Sequence, residues 1–210
     1  MAEPRRPRAA TAEKRTRLLD VTEEIMLREG YAAVSSRSVA AKAGIQAPLV
    51  HYYFPTIDDL FVAVFRRRAE RNVERMAAAL ASPEPLRAWW DLAADPRGTA
   101  LLMELMAAAN HRPPLKAEVG ELARDVRRMQ MDTLAAVLEE YGVDAGEFPP
   151  ALVAAAIQGL SIVVVQDQAG GFDTAHDQAA AAMSRLLARL EERRARARRR
   201  SRLTSGRPSS

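Results

Sequence analysis

The chain has 210 residues, 48% hydrophobic and 28% charged, so it is long enough to bury a sizeable core and too apolar to be disordered. Aromatic residues make up only 5%, alanine dominates, and the one β-branched run is Ile162-Val163-Val164-Val165, which disfavours a sandwich or barrel and favours an all-α chain. Cysteine is absent, which excludes a disulfide scaffold, a thiolate nucleophile and any Cys-ligated metal.

The net charge of +4 is unevenly spread. Residues 1–56 carry 9 basic and 6 acidic side chains, residues 57–188 carry 13 and 19, and residues 189–210 carry 9 and 2. Basic ends around an acidic middle suit contact with a polyanion. Of the 31 basic residues, 28 are Arg, so part of this signal reflects codon composition as readily as function. No apolar leader opens the chain. The longest apolar stretch, Ala151 to Val165, is interrupted by Gln158 and falls short of the ~20 residues a bilayer needs. A soluble, cytoplasmic protein is expected.

In chain order, Pro and Gly separate runs of helical periodicity. Residues 1–10, with Arg5, Arg6 and Arg8, read as a flexible basic arm. A first helix is predicted over about 11–29, with Leu18, Val21, Thr22, Ile25 and Met26 on one stripe and Gly30 as its stop. Short helices follow over about 36–43, with Ser35 as N-cap and Gly44 beyond its end, and over about 47–53. A long helix over about 57–81 opens on a capping-box-like pair, Thr56 and Asp59. Five more are predicted, over about 84–94, 97–110, 114–141, 150–168 and 174–198. Residues 199–210 lose apolar periodicity and read as a disordered basic tail, solvated rather than bound.

The second and third helices with Gly44 between them form a helix-turn-helix pattern. Val39 and Ala40 face inward, Ala43 is small enough for close crossing, Ile45 plugs the junction, and Pro48 is tolerated in a first turn. Gln46 is placed to cap the third helix. By periodicity alone, a plain helical hairpin fits equally well.

The ordered set Gly30-Tyr31, Ser35-x-Arg37-x-Val39-Ala40-x-x-Ala43-Gly44-Ile45, Val50-x-x-Tyr53-Phe54 and Asp58-Asp59-Leu60 goes further. Residues 11–61 resemble the DNA-binding head of TetR-family transcriptional regulators. The resemblance implies an N-terminal three-helix head over 11–55 and a larger ligand-binding and dimerisation body over 56–198, about nine helices in all. It also implies a homodimer on a double-stranded DNA operator. Three positions depart from the family pattern: Gln46 in place of Ser or Thr, Pro48 in place of Gly, and Ile57 in place of a phosphate-contacting Lys. Thr56 and nearby backbone amides are then expected to meet the phosphate.

Groove chemistry assigns the head's roles. The 47–53 helix enters the major groove with Gln46, Ala47, Pro48, Leu49 and His51 on or near its outer side. Tyr52, Tyr53, Ser36, Arg37, Lys42 and Thr56 hold backbone phosphates. His51 and Tyr53 could instead cap the head's small core, and the arm could enter a minor groove or remain solvated.

The body carries no catalytic constellation. His51, His111 and His176 are isolated, Ser161 has no base, and no glycine-rich phosphate loop is present. No enzyme activity, cofactor or metal is expected. Large side chains on alanine-rich helices read as plain core, or, given the resemblance, as the lining of a pocket for a hydrophobic or amphipathic effector. The candidates are Phe65, Trp89, Trp90, Met103, Met106, His111, Met129, Gln158 and Gln166, with Tyr141 and Phe148 nearby in type. The last two helices carry small or apolar faces at Ala155, Gly159, Ile162, Met183, Leu186 and Leu190, which form either a dimer seam or internal packing. The expectation is a ligand-responsive, dimeric repressor. A helical small-molecule-binding protein whose head no longer reads an operator is the alternative.

Overall fold

Prolines open four of the helices, because a first-turn residue needs no N–H partner. Pro85 begins α5 (Pro85–Ala93), Pro96 begins α6 (Pro96–Asn110), Pro113 begins α7 (Pro113–Glu140) and Pro150 begins α8 (Pro150–Gly170). A computed structural model describes residues 6–171 and 176–205, with side chains at 11–171 and 177–196. The other elements are α1 (Arg6–Glu29), a 3-10 turn (Tyr31–Ala33), α2 (Ser36–Ala43), α3 (Ala47–Tyr53), α4 (Ile57–Leu80) and α9 (His176–Ser205). Among the described residues every regular element is helical.

Two boundaries depart from expectation. α1 starts at Arg6, inside the stretch read as an arm. Ala9, Ala10 and Ala12 are strong helix formers, and Pro7 sits harmlessly in the first turn. Arg5 lies outside the described residues. α9 continues to Ser205 through the stretch read as a disordered tail. Its Arg and Ala residues favour helix, and no Gly or Pro interrupts them before Gly206.

The chain divides into two packed units. Unit one takes the chain up to Arg71 together with Ala100–Arg124. Leu18, Ile25 and Met26 of α1, Val39 of α2, Val50 of α3, Leu60 and Phe61 of α4, and Leu105 and Leu115 are buried in it. Packing thus gathers more chain with the head than the expected boundary at residue 55. A half-buried polar tie in this unit is Arg67 of α4. Its guanidinium donates to Glu23 (Nε–Oε1 3.1 Å), to Asp20 (2.7 Å) and to the Thr16 carbonyl (3.3 Å), all on α1. Arg112 donates to Asp58 at 2.6 Å and lies over the Phe61 ring at 5.0 Å.

Unit two comprises Asn72–Thr99 and the chain from Asp125 onward. Its core joins Met76 and Leu80 of α4, Leu86, Trp89 and Trp90 of α5, Leu134, Leu138 and Tyr141 at the end of α7, Ala154 and Ile157 of α8, and Leu187 of α9. Arg194 is sealed beside this core at 5% exposure. It donates to Glu140 at 2.6 Å and to the Pro83 carbonyl at 2.7 Å, and lies over the Tyr141 ring at 5.2 Å. Glu191, also buried, accepts from the Leu86 and Arg87 amides at 3.2 and 3.4 Å, satisfying donors that α5's start leaves open. The Tyr141 hydroxyl is buried without a well-formed hydrogen bond; burial first, and the neighbouring Glu191 carboxylate second, raise the phenol's pKa.

Arg194→Ala leaves Glu191 buried without its cation. The expected loss is about 3–5 kcal/mol of stability, read as a fall in urea midpoint. Arg193→Ala, one exposed residue earlier, should stay within about 0.5 kcal/mol. Equal effects would show that the Arg194 contacts do not hold α9.

Candidate nucleic-acid interface

Local rules place the head's helices. Ser35 caps α2 with a reciprocal box: its hydroxyl accepts from the Ser38 amide at 3.1 Å, and the Ser38 hydroxyl accepts from the Ser35 amide at 2.9 Å. Gly44 ends α2 at φ 70°, a left-handed conformation that only glycine adopts without strain. The Ile45 amide then donates back to the Ala40 carbonyl at 3.0 Å, closing the turn.

α3 buries Val50 and turns the opposite side outward. Pro48, His51 and Tyr52, at i, i+3 and i+4, are all exposed, Tyr52 to 75%. Gln46 is exposed at the N-cap position, whereas Ala47, Leu49 and Tyr53 are half-buried. Tyr52 and Tyr53 meet edge to face at 5.2 Å. The His51 Nδ1 lies 3.3 Å from the Pro55 carbonyl oxygen. On α2, Arg37 is exposed and Ser36 half-buried.

Three expected roles are altered. Gln46 stands where a cap belongs, but its side chain makes no capping bond. The Leu49 amide is taken by the Gln46 backbone carbonyl at 2.9 Å, and Pro48 offers no amide, so the side chain stays free. Lys42, expected at a phosphate, has its ammonium 3.4 Å from Glu24 and 3.8 Å from Glu29 on α1. Thr56 is also engaged: its hydroxyl donates to Asp59 at 2.7 Å and accepts from the Asp59 amide at 3.1 Å. The Thr56 amide donates to the same carboxylate at 2.9 Å, completing the expected capping box and leaving α4's start anionic.

The nine residues predicted for an effector pocket are divided between the two units. Phe65, Met103, Met106 and His111 belong to unit one, the other five to unit two. Phe65 is buried core, Met103 is exposed and Met106 half-buried. His111 stacks on Tyr31 with ring centroids 6.2 Å apart, on a head whose Tyr31 amide also donates to Glu104 at 2.7 Å. Trp89 and Trp90 are core, Met129 and Gln166 are exposed, and Gln158 accepts from Arg127 at 3.4 Å.

Within unit one an open groove of about 1010 Å³ lies between α1, the turn after α3, α4 and the start of α7. Arg15, Tyr53, Thr56, Asp59, Arg66 and Glu118 are among its lining, and none of the nine predicted residues is. Sequence reasoning missed Gln130, which is 4% exposed and whose amide Nε2 has no hydrogen-bond partner. Its position one turn from Leu134 on a buried stripe was the available signal. No group of His, Asp or Glu able to hold a metal occurs among the described residues.

Of the predicted seam residues, Ala155, Gly159 and Leu186 lie off the buried stripes, whereas Met183 and Leu190 pack against the core of unit two. α8 buries Ala154, Ile157, Ser161, Val164 and Val165. Ala155 and Gly159 are exposed, Ile162 is half-buried, and Leu152 is 51% exposed. On α9, Leu187 rather than Leu186 points inward; Leu186 is 52% exposed, with Met183 and Leu190 half-buried. The 21-residue α8 is the one helix among the described residues long and apolar enough to cross a membrane, and 28% of its apolar window is buried. It outruns the stretch expected from sequence because it continues past Val165 to Gly170.

A capped α2, a left-handed glycine turn and a short α3 with an outward face define a helix-turn-helix protein. Residues 18–64 match the profile of bacterial regulatory proteins of the tetR family. It is 32% identical over 139 residues to an HTH-type transcriptional regulator encoded in the dhlA 5′ region of Xanthobacter autotrophicus, covering 64% of this chain and 62% of that protein. It is 38% identical over 77 residues to the transcriptional repressor KstR of Mycolicibacterium smegmatis, covering 36% of this chain and 38% of KstR. The chain thus spans between about two fifths and three fifths of these relatives. Its fold matches that of a transcriptional regulator from Saccharomonospora viridis solved with choline, at a TM-score of 0.65 and 22% identity, over 86% of this chain and 96% of that one.

Lys42→Gln is expected to leave the salt dependence of DNA binding unchanged, because its ammonium already serves Glu24 and Glu29. Arg37→Gln should flatten the slope by about 0.9 log unit, the loss of one phosphate contact. Fluorescence anisotropy across a salt series measures both, and the reverse ranking would restore Lys42 as the phosphate ligand.

Proposed function

We propose that this protein is a ligand-responsive transcriptional repressor that binds an inverted-repeat operator as a homodimer. The observation that carries the reading is the outward face of α3, where Pro48, His51 and Tyr52 are exposed beside Gln46. These groups suit base edges and thymine methyls in a major groove. The likeness to KstR, a repressor by name, supports the sign of regulation.

The uncovered side of α8 supports the dimer. A helix apolar on all sides that buries one stripe leaves Leu152, Ala155 and Gly159 needing cover. A second copy of the same helix supplies a self-complementary surface, as two-fold assembly requires. For the effector, Gln130 supplies a buried amide donor without a partner, a fixture for an acceptor oxygen on a hydrophobic molecule. The choline bound by the Saccharomonospora viridis protein supports small-molecule binding by this fold.

One observation favours the second reading, a small-molecule-binding protein without an operator. Lys42 and Thr56 are both occupied by carboxylates, and the first turn of α4 carries Asp58 and Asp59. In vitro selection from randomised duplex DNA separates the two. Enrichment of an inverted repeat, with half-sites about 34–36 Å apart or a multiple of that spacing, is expected for the repressor. No enrichment at low salt would leave the second reading standing.

A Cβ at Gly159 meets nothing within 4 Å in a single chain. Gly159→Glu should therefore leave the protomer folded while placing a charge at the seam. Light scattering is expected to show a dimer for the wild type and a monomer for the variant, which should also lose operator binding with its head intact. A variant that remains dimeric and binds DNA would move the interface away from this face.

A further inference from the structure

From the hydrogen bond between His51 and Pro55 we infer that His51 reads an exocyclic amino group, adenine N6 or cytosine N4, and discriminates against guanine. This rests on the DNA-binding reading above and specifies what one residue of that site recognises. The Nδ1 of His51 lies 3.3 Å from the Pro55 carbonyl oxygen. A carbonyl accepts and never donates, so Nδ1 carries the hydrogen in this contact. In the neutral ring the other nitrogen, Nε2, then has a lone pair and no hydrogen.

His51 is exposed on the outward stripe of α3 with Pro48 and Tyr52, and Val50 beside it is buried. The ring is held at the side of the helix that can meet a base edge, with its bonded nitrogen turned to the chain. The remaining acceptor matches the amino hydrogens that adenine and cytosine present in the major groove. Guanine presents only N7 and O6 acceptors there, which face the Nε2 lone pair unfavourably. A DNA phosphate, an acceptor as well, is a poor partner for the same reason. His51 is thus a specificity residue rather than a phosphate clamp, unlike the tyrosines beside it. Closure of the groove over α3 excludes the water that competes for the Pro55 bond and so strengthens the tautomer's selection.

The test begins with in vitro selection at pH 8, using the full chain and its His51→Ala variant. The half-site position whose preference disappears in the variant is the one His51 reads, and adenine or cytosine is expected there. Operators are then synthesised with the amino group deleted at that base, purine for adenine or pyrimidin-2-one for cytosine. Deletion should weaken wild-type binding about tenfold or more and leave His51→Ala unaffected. Where the base is adenine, 7-deaza-adenine, which keeps N6 and loses N7, should bind the wild type normally. His51→Gln, whose amide can also accept, should recover sensitivity to the amino group. Guanine at the His51-dependent position, or equal loss with and without the amino group, would overturn the assignment while leaving DNA binding established. An operator unchanged by both His51 variants would overturn it too. Failure to select any operator would remove the DNA-binding reading itself.

Discussion

Two arginines, Arg67 half-buried and Arg194 buried, hold helices that alanine cannot hold. With eleven aromatic side chains in 210 residues, the helices offer few large apolar surfaces to lock one against another. Arg67 ties α4 to α1 through Glu23, Asp20 and a backbone carbonyl. Arg194 ties α9 to Glu140, at the end of α7, and to the Pro83 carbonyl ahead of α5. Burying such charges recovers little net stability, because desolvation offsets the attraction. What they add is register. A guanidinium with several directed donors fits one arrangement of its acceptors, whereas a surface of alanines slides at small cost.

The same residues show why the basic tail was misjudged from sequence. Residues 199–210 read as a solvated tail from their charge and lost apolar periodicity, and the helix predicted before them stops at about 198. Arg194, however, follows Leu187 and Glu191 at seven and three residues, so it continues α9's buried stripe. Helical spacing carried that signal and composition concealed it. The arm at the other end was misjudged for a related reason: Pro7 and three arginines suggested disorder, while the alanines after them continue the helix.

The head was legible because its geometry follows from local chemistry. Ser35, Gly44, Pro48 and the Thr56–Asp59 pair each act within four residues, and each stands where the residue types require. Lys42 and His111 were not legible, since their partners Glu24, Glu29 and Tyr31 depend on how distant segments meet. Gln46 failed differently. The position was correct, but the neighbouring proline removed the donor its side chain would have capped. On α8 periodicity could not choose a buried side, because every side is apolar. The split between Val164-Val165 within and Leu152 and Gly159 outside emerges only from packing.

On the proposed reading, the shortness of α3 and the bareness of α8 meet a single requirement. Seven residues of helix offer about three outward side chains, and a good base contact contributes about 1–3 kcal/mol. One head therefore has roughly 3–9 kcal/mol of sequence discrimination available, before any loss from imperfect geometry. Specific operators are held at about 10⁻⁸–10⁻¹¹ M, or roughly 11–15 kcal/mol. The phosphate term that usually closes this gap is weakened here, because Lys42 and Thr56 are engaged by carboxylates and two aspartates stand at α4's start. A second head, rigidly joined, doubles the base contacts without a second loss of translational freedom. An apolar face left open along α8 joins two chains without using any side chain the head needs. The same economy explains how an effector acts on such a protein. With so few contacts per head, a modest change in the separation of two heads removes one half-site and most of the affinity with it.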